Sequence, residues 1–117
     1  MLDPRETWET YARSWKAPAV ADKRALFDAA LAPDCVYTDP LTRAEGWEAL
    51  LAYMSQFHQQ VPGGHFVTQR FLHHSGRSVV AWTMNGADGT VLGDGISYVT
   101  HGDDGRLTSM TGFFETP

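Results

Sequence analysis

Apolar residues recur every three or four positions through the first half of the chain, and beyond residue 64 that rhythm gives way to alternation. In the first stretch Trp8, Tyr11 and Trp15 fall on one face, the spacing of an amphipathic helix. Asp3 is placed to cap it, Pro4 suits its first turn, and Glu6 stands three residues after the cap. Lys16-Ala17-Pro18 ends it. A second helix is predicted over 21–32, pairing Leu26 with Ala30 and Phe27 with Leu31, and it stops before Pro33. Residues 35–39 then read as a short strand closed by Pro40. A third helix is predicted over 45–60, with Trp47, Leu50, Leu51, Met54 and Phe57 on its apolar face, and Pro62-Gly63-Gly64 terminates it.

The alternating half predicts strands over 65–74, 78–85, 90–100 and 106–116. Glycine-bearing turns separate them, around Gly76, at Gly86-Ala87-Asp88-Gly89 and at Gly102-Asp103-Asp104-Gly105. Helices followed by an antiparallel meander describe a single α+β domain with its helices on one face of the sheet. Period-two parity puts Trp82 with Met84, Ile96 with Tyr98, and Met110 with Gly112 and Phe114. These are the side chains expected on the inner face, and Gly112 leaves room between two large ones. Ala81, Thr83, Val99 and Phe113 are expected to face outward.

Composition narrows the function classes. A chain of 117 residues makes one domain, and 43% hydrophobic with 12% aromatic residues supplies a real core. A net charge of −5, with nine scattered Lys and Arg, argues against a nucleic-acid partner. Cys35 is the one cysteine, so neither an intramolecular disulfide nor a cysteine metal framework is expected. No run approaches the roughly 18 apolar residues of a membrane-spanning helix. The opening Met-Leu-Asp-Pro-Arg-Glu-Thr lacks the apolar core of a signal peptide, so a cytoplasmic location with no membrane partner is the expectation. His73 and His74 are strand neighbours and point to opposite faces, while His65 and His73 share a face too far apart for one ion. No metal and no cofactor are expected.

Particular residues resemble a known superfamily. They are Tyr11 on the first helix, Val36-Tyr37-Thr38-Asp39-Pro40, and Gly46 opening the third helix. Asp104-Gly105-Arg106-Leu107-Thr108-Ser109-Met110 follows, continuing into Gly112-Phe113-Phe114-Glu115. In that order they are similar to the nuclear-transport-factor-two-like superfamily, which includes ketosteroid isomerase, limonene epoxide hydrolase, scytalone dehydratase and the SnoaL-like polyketide cyclases. The resemblance covers essentially the whole chain and is strongest to SnoaL-like proteins. It implies a cone: a strongly curved, mainly antiparallel sheet with three N-terminal helices packed on it, enclosing a pocket for a small apolar ligand. It also implies a homodimer formed through the convex sheet face.

By that resemblance Asp39 matches the catalytic base of the isomerase, and Tyr11 its hydrogen-bond donor to a developing oxyanion. A carboxylate partly desolvated at the mouth of an apolar cavity is a better base than one in water. Asp before Pro also caps turns, accepting N–H bonds from Leu41 or Thr42, and both readings of Asp39 stand. The second oxyanion donor of the isomerase falls on Ile96, with Asp94 two residues earlier; the final-strand carboxylate of the epoxide hydrolases falls on Gly112. A histidine among His65, His73 and His74 is a candidate partner for Asp39, as in scytalone dehydratase. No complete catalytic set of these relatives is present. The expected function is binding of a small hydrophobic molecule, with cofactor-independent proton transfer of isomerase, cyclase, dehydratase or hydrolase type. Asp39 and Tyr11 are the catalytic candidates. Tyr37, Tyr53, Trp82, Met84, Asp94, Ile96, Tyr98, Met110 and Phe114 are the expected lining. A non-catalytic binding or homodimeric interaction domain is the alternative.

Overall fold

The computed structural model describes residues 2–116. Its elements run α1 (Pro4–Ser14), α2 (Val20–Ala30), β1 (Leu31–Asp39), β2 (Thr42–Glu45), α3 (Gly46–Gln60), β3 (His65–His74), β4 (Arg77–Asn85), β5 (Val91–His101) and β6 (Leu107–Phe113). One six-stranded sheet has the order β2-β1-β6-β5-β4-β3. β1 and β6 are parallel and every other pair is antiparallel. Register shifts interrupt the β1–β6, β3–β4, β4–β5 and β5–β6 ladders, and such irregularities bend a sheet and deepen its twist. The sheet therefore curls around the helices without closing, with β2 and β3 as its free edges. This is the predicted α+β architecture.

The helices seat by their aromatic faces. Asp3 caps α1, its carboxylate accepting from the Glu6 N–H at 3.3 Å. Trp8, Tyr11, Ala12 and Trp15 are buried from that helix, and the Trp8 indole donates to Thr68 Oγ1 on β3 at 2.9 Å. Lys23 is buried between α1 and α2, where its ammonium donates to the carbonyls of Ser14 and Ala17 at 2.7 and 2.6 Å. Burial pulls its pKa down to about 8. The Trp47 indole donates to the Ala32 carbonyl at 3.0 Å, which fixes α3 against β1.

Three features depart from the sequence reading. The second helix ends at Ala30 and not at residue 32, because Leu31 passes directly into the strand. Pro33 sits inside that strand within the register shift between Leu31 and Val36, where a missing N–H costs no ladder bond. β2 is an additional strand, too short and polar to show in the pattern. Finally, β5 is turned over: Ser97 and Val99 face inward, whereas Ile96 is 49% exposed on the outer face. The reason lies in the pairing of Trp82 with Gly95. A Cβ on Gly95 would lie 2.5 Å from the Trp82 ring and 2.7 Å from the Phe113 carbonyl oxygen, so the indole fills the place of the missing side chain.

That contact can be checked by substitution. Gly95→Ala is expected to destabilise the fold by about 2–3 kcal/mol, since neither a ring nor a backbone carbonyl yields easily. Gly93→Ala, whose Cβ would meet only the Met84 methyl at 4.0 Å, is expected to be near neutral. Urea midpoints of the two variants decide it, and equal midpoints would contradict the packing described.

Candidate functional site

The curled sheet and the helices enclose a cavity of about 580 Å³. Its walls follow from the spacing of aromatic residues on separate elements. Trp8 and Tyr11 come from one face of α1 and Trp15 from its C-terminal cap; Tyr53 and Phe57, one turn apart, come from α3. Phe66 on β3, Trp82 on β4 and Phe114 after β6 complete the ring. Trp15 is the hub, with ring centroids 5.3 Å from Phe66, 5.5 Å from Phe57, 5.7 Å from Tyr37 and 6.2 Å from Tyr53. Phe66 passes the contact on to Trp82 at 5.0 Å, and Trp82 to Phe114 at 6.4 Å.

The polar end of this cavity is Asp39, only 8% exposed. One carboxylate oxygen, Oδ1, accepts from the backbone N–H groups of Leu41 at 2.8 Å and Thr42 at 3.1 Å. The other, Oδ2, accepts from the hydroxyls of Tyr37 at 2.6 Å and Tyr53 at 2.7 Å. The turn cap and the cavity group are thus the same residue. An ionised carboxylate has about four acceptor positions, and all are filled. Burial above all, with the neighbouring Asp39 charge adding to it, raises the pKa of both tyrosines well beyond the usual phenol value. Both stay protonated and keep their protons on Oδ2. Gly112 holds the space beside this cluster: a Cβ there would come within 3.6 Å of Asp39 Cβ and 3.9 Å of Tyr37 Oη and Ser97 Oγ. Ser97 Oγ accepts from the Trp82 indole at 3.0 Å, so its own proton is available to the cavity.

Of the residues singled out in the sequence, Tyr11, Tyr37, Asp39, Tyr53, Trp82, Met84 and Phe114 border the cavity. Asp94 is exposed at the rim, but it pairs with Thr83 and shares the outward parity of Ile96, so its carboxylate lies on the outer face of β5. Ile96 and Tyr98 do not line it, because β5 presents its other face inward. Met110 is buried in the core and is not part of the wall. Tyr11 is buried beside the cavity, and burial raises its pKa too, but the hydrogen bonds to Asp39 come from Tyr37 and Tyr53. Nor does a histidine join Asp39. The register shift between Thr68 and Arg70 reverses the parity of β3, so His65 and His73 lie on opposite faces, and no histidine borders the cavity.

Sequence reading missed Trp15 and Phe66 as wall residues and Ser97 as a polar group. The first two were hidden inside ordinary core patterns. For Ser97 the signal was Gly95, whose lack of a side chain fixes the inward parity of β5. Among the described residues no three His, Cys, Asp or Glu side chains converge as metal ligands. Cys35 is buried, and burial pushes its thiol up to about 11, away from nucleophilic use.

Comparison with known proteins agrees with this architecture. A search among curated proteins gives no match. Among solved structures, a candidate isomerase of the SnoaL-like family from Agrobacterium tumefaciens is 26% identical, with a TM-score of 0.86 over 96% of this chain and 97% of that one. A candidate SnoaL-like polyketide cyclase from Jannaschia is 17% identical, with a TM-score of 0.76 over 96% and 85% of the two chains. A protein with a ketosteroid isomerase-like fold from Catenulispora acidiphila, in complex with trimethylamine, is 13% identical, with a TM-score of 0.78 over 94% and 85%. The SnoaL-like domain model matches residues 9–110, from the cavity face of α1 to the core of β6. The chain therefore belongs to the SnoaL-like domain family.

Proposed function

We propose that the cavity binds a small, mostly apolar molecule and that Asp39 exchanges a proton with it, in a cofactor-independent step of isomerase or cyclase type. The observation that carries this reading is a carboxylate at the end of an aromatic cavity, held by two tyrosines. Because its acceptor positions are filled, the proton reaches it by relay. A substrate C–H proton passes to the oxygen of Tyr37 or Tyr53 while that hydroxyl hands its own proton to Oδ2. The products are a substrate carbanion or enolate, a neutral tyrosine and a protonated Asp39. Tyr11 and the free proton of Ser97 are the candidate donors to the developing oxyanion.

The same filled positions favour a second reading, in which Asp39 only orients a bound ligand. Deuterium uptake separates the two without knowledge of the substrate. β-Tetralone in D₂O is expected to exchange its acidic protons faster with the wild-type protein, and Asp39→Asn is expected to slow this by about 100-fold or more while leaving binding within a few-fold. Asparagine keeps both backbone bonds through its Oδ1, so the turn survives. Binding without accelerated exchange would support the ligand-carrier reading, and unchanged exchange in Asp39→Asn would remove Asp39 as the base.

We further propose that the chain pairs with a second copy through the outer sheet face. Leu72, Val79, Ile96 and Phe113 are 44–58% exposed there. The register sets Leu72 beside Val79, and Ala81 beside Ile96 and then Phe113, making one continuous apolar area. Val99, expected to face outward, is instead fully buried and takes no part. No helix among the described residues is long and apolar enough to cross a membrane, and a cytoplasmic location stays a proposal. Light scattering at micromolar concentration is expected to give a dimer mass, and Ile96→Lys a folded monomer. A monomeric wild type rejects the interface.

A further inference from the structure

The sign of the cavity is as informative as its shape. Asp39 and Glu115 present carboxylates to it, and among the described residues no Lys, Arg or His borders it. The chain's basic side chains are engaged or lie elsewhere. Arg24 pairs with Glu48, Arg43 with Glu45 and Arg106 with Asp104. Lys23 is spent on backbone carbonyls, and Arg5, Arg13 and Lys16 line a separate groove between α1 and β3. Among the described residues Asp39 is thus a buried carboxylate with no cationic partner: its donors are two phenols and two amides, all neutral. They disperse its charge without cancelling it.

The orientation of those donors strengthens the asymmetry. Tyr37 and Tyr53 commit their protons to Oδ2, so the sides of their oxygens turned away from Asp39 carry lone pairs only. Nine aromatic residues complete the lining, and a ring face attracts a cation through its quadrupole, tryptophan most strongly. The rings around Trp15 meet it at interplanar angles of 53–87°, so the wall turns around the cavity and does not lie flat as a stack. A carboxylate or phosphate ligand would face the uncompensated negative charge of Asp39. The exposed Glu115 at the mouth, on a chain of net charge −5, draws the opposite sign inward.

We infer that the cavity selects an organic cation, a protonated or quaternary amine on an apolar body, with Asp39 as its counter-ion and the tryptophan-rich wall as its cage. The inference rests on the cavity being the ligand site and adds the charge of the ligand to it.

Three probes of matched shape test it by calorimetry: trimethyl(phenethyl)ammonium, the neutral dimethyl phenethyl carbinol, and the anion phenylbutyrate. The ammonium ion is expected to bind at least about tenfold more tightly than the carbinol, with phenylbutyrate weakest. Raising salt from about 50 to 500 mM is expected to weaken the ammonium ion alone. Asp39→Asn is expected to bring ammonium and carbinol to within about twofold of each other, with an unchanged urea midpoint as the control for folding. The mouth variant Glu115→Gln is expected to lower ammonium affinity by about twofold. Carbinol or phenylbutyrate binding as tightly as the ammonium ion overturns the cation inference and leaves the ligand cavity standing. Binding of none of the three overturns the cavity reading itself.

Discussion

The Asp39 carboxylate draws on three separate pieces of chain: Tyr37 from β1, the Leu41 and Thr42 amides from the β1–β2 turn and the first residue of β2, and Tyr53 from the middle of α3. Hydrogen bonds to a charged group contribute about 1.5–3 kcal/mol each, roughly twice a neutral bond, and here they all converge on one side chain. A buried carboxylate is tolerated only when it is fully bonded, which constrains everything near it. The turn must present two N–H groups, α3 must lie at the height that brings Tyr53 into reach, and Tyr37 must share the inward parity of Asp39. The polar floor of the cavity and the seating of α3 on β1 are therefore one interaction.

Around that floor the space is set by aromatic geometry. Trp15 touches four other rings, which joins α1, α3, β1 and β3 at a single side chain. Trp82 closes the opposite wall because Gly95 lets its indole lie flat on β5, and the same tilt hands its N–H to Ser97. Gly112 then keeps the gap between these walls open beside Asp39. Two glycines thus act in opposite ways. At Gly95 the missing side chain is replaced by a neighbour, and at Gly112 it is left as room.

Much of this was legible in the sequence. Helical spacing gave the three helices, glycine-rich turns gave the meander, and the residues from Val36 to Pro40 pointed to Asp39 by resemblance. The cap expected of that residue is present, on a carboxylate that also borders the cavity, and its role as a base is a proposal. The misreadings have two causes. Parity along a strand is blind to extra residues, so the shift between Thr68 and Arg70 moved His65 away from the face of His73. On β5, Ile96 and Tyr98 are more apolar than Ser97, and hydrophobicity alone favoured them for the inside. Their outward position follows from tertiary packing, because the Trp82 ring needs the glycine beneath it. Partners from distant elements, such as Tyr53 on Oδ2, leave no local pattern at all.

The most direct measurement of the central claim is amide chemical-shift mapping of the ¹⁵N-labelled protein titrated with trimethyl(phenethyl)ammonium. The expected result is that the largest shifts fall on Leu41, Thr42, Ser97 and Gly112, around the floor of the cavity, and that they shrink when Gly112→Val fills the gap. Shifts concentrated on Val79, Ile96 and Phe113 of the outer face, or on Arg5 and Arg13 of the groove beside α1, would contradict it.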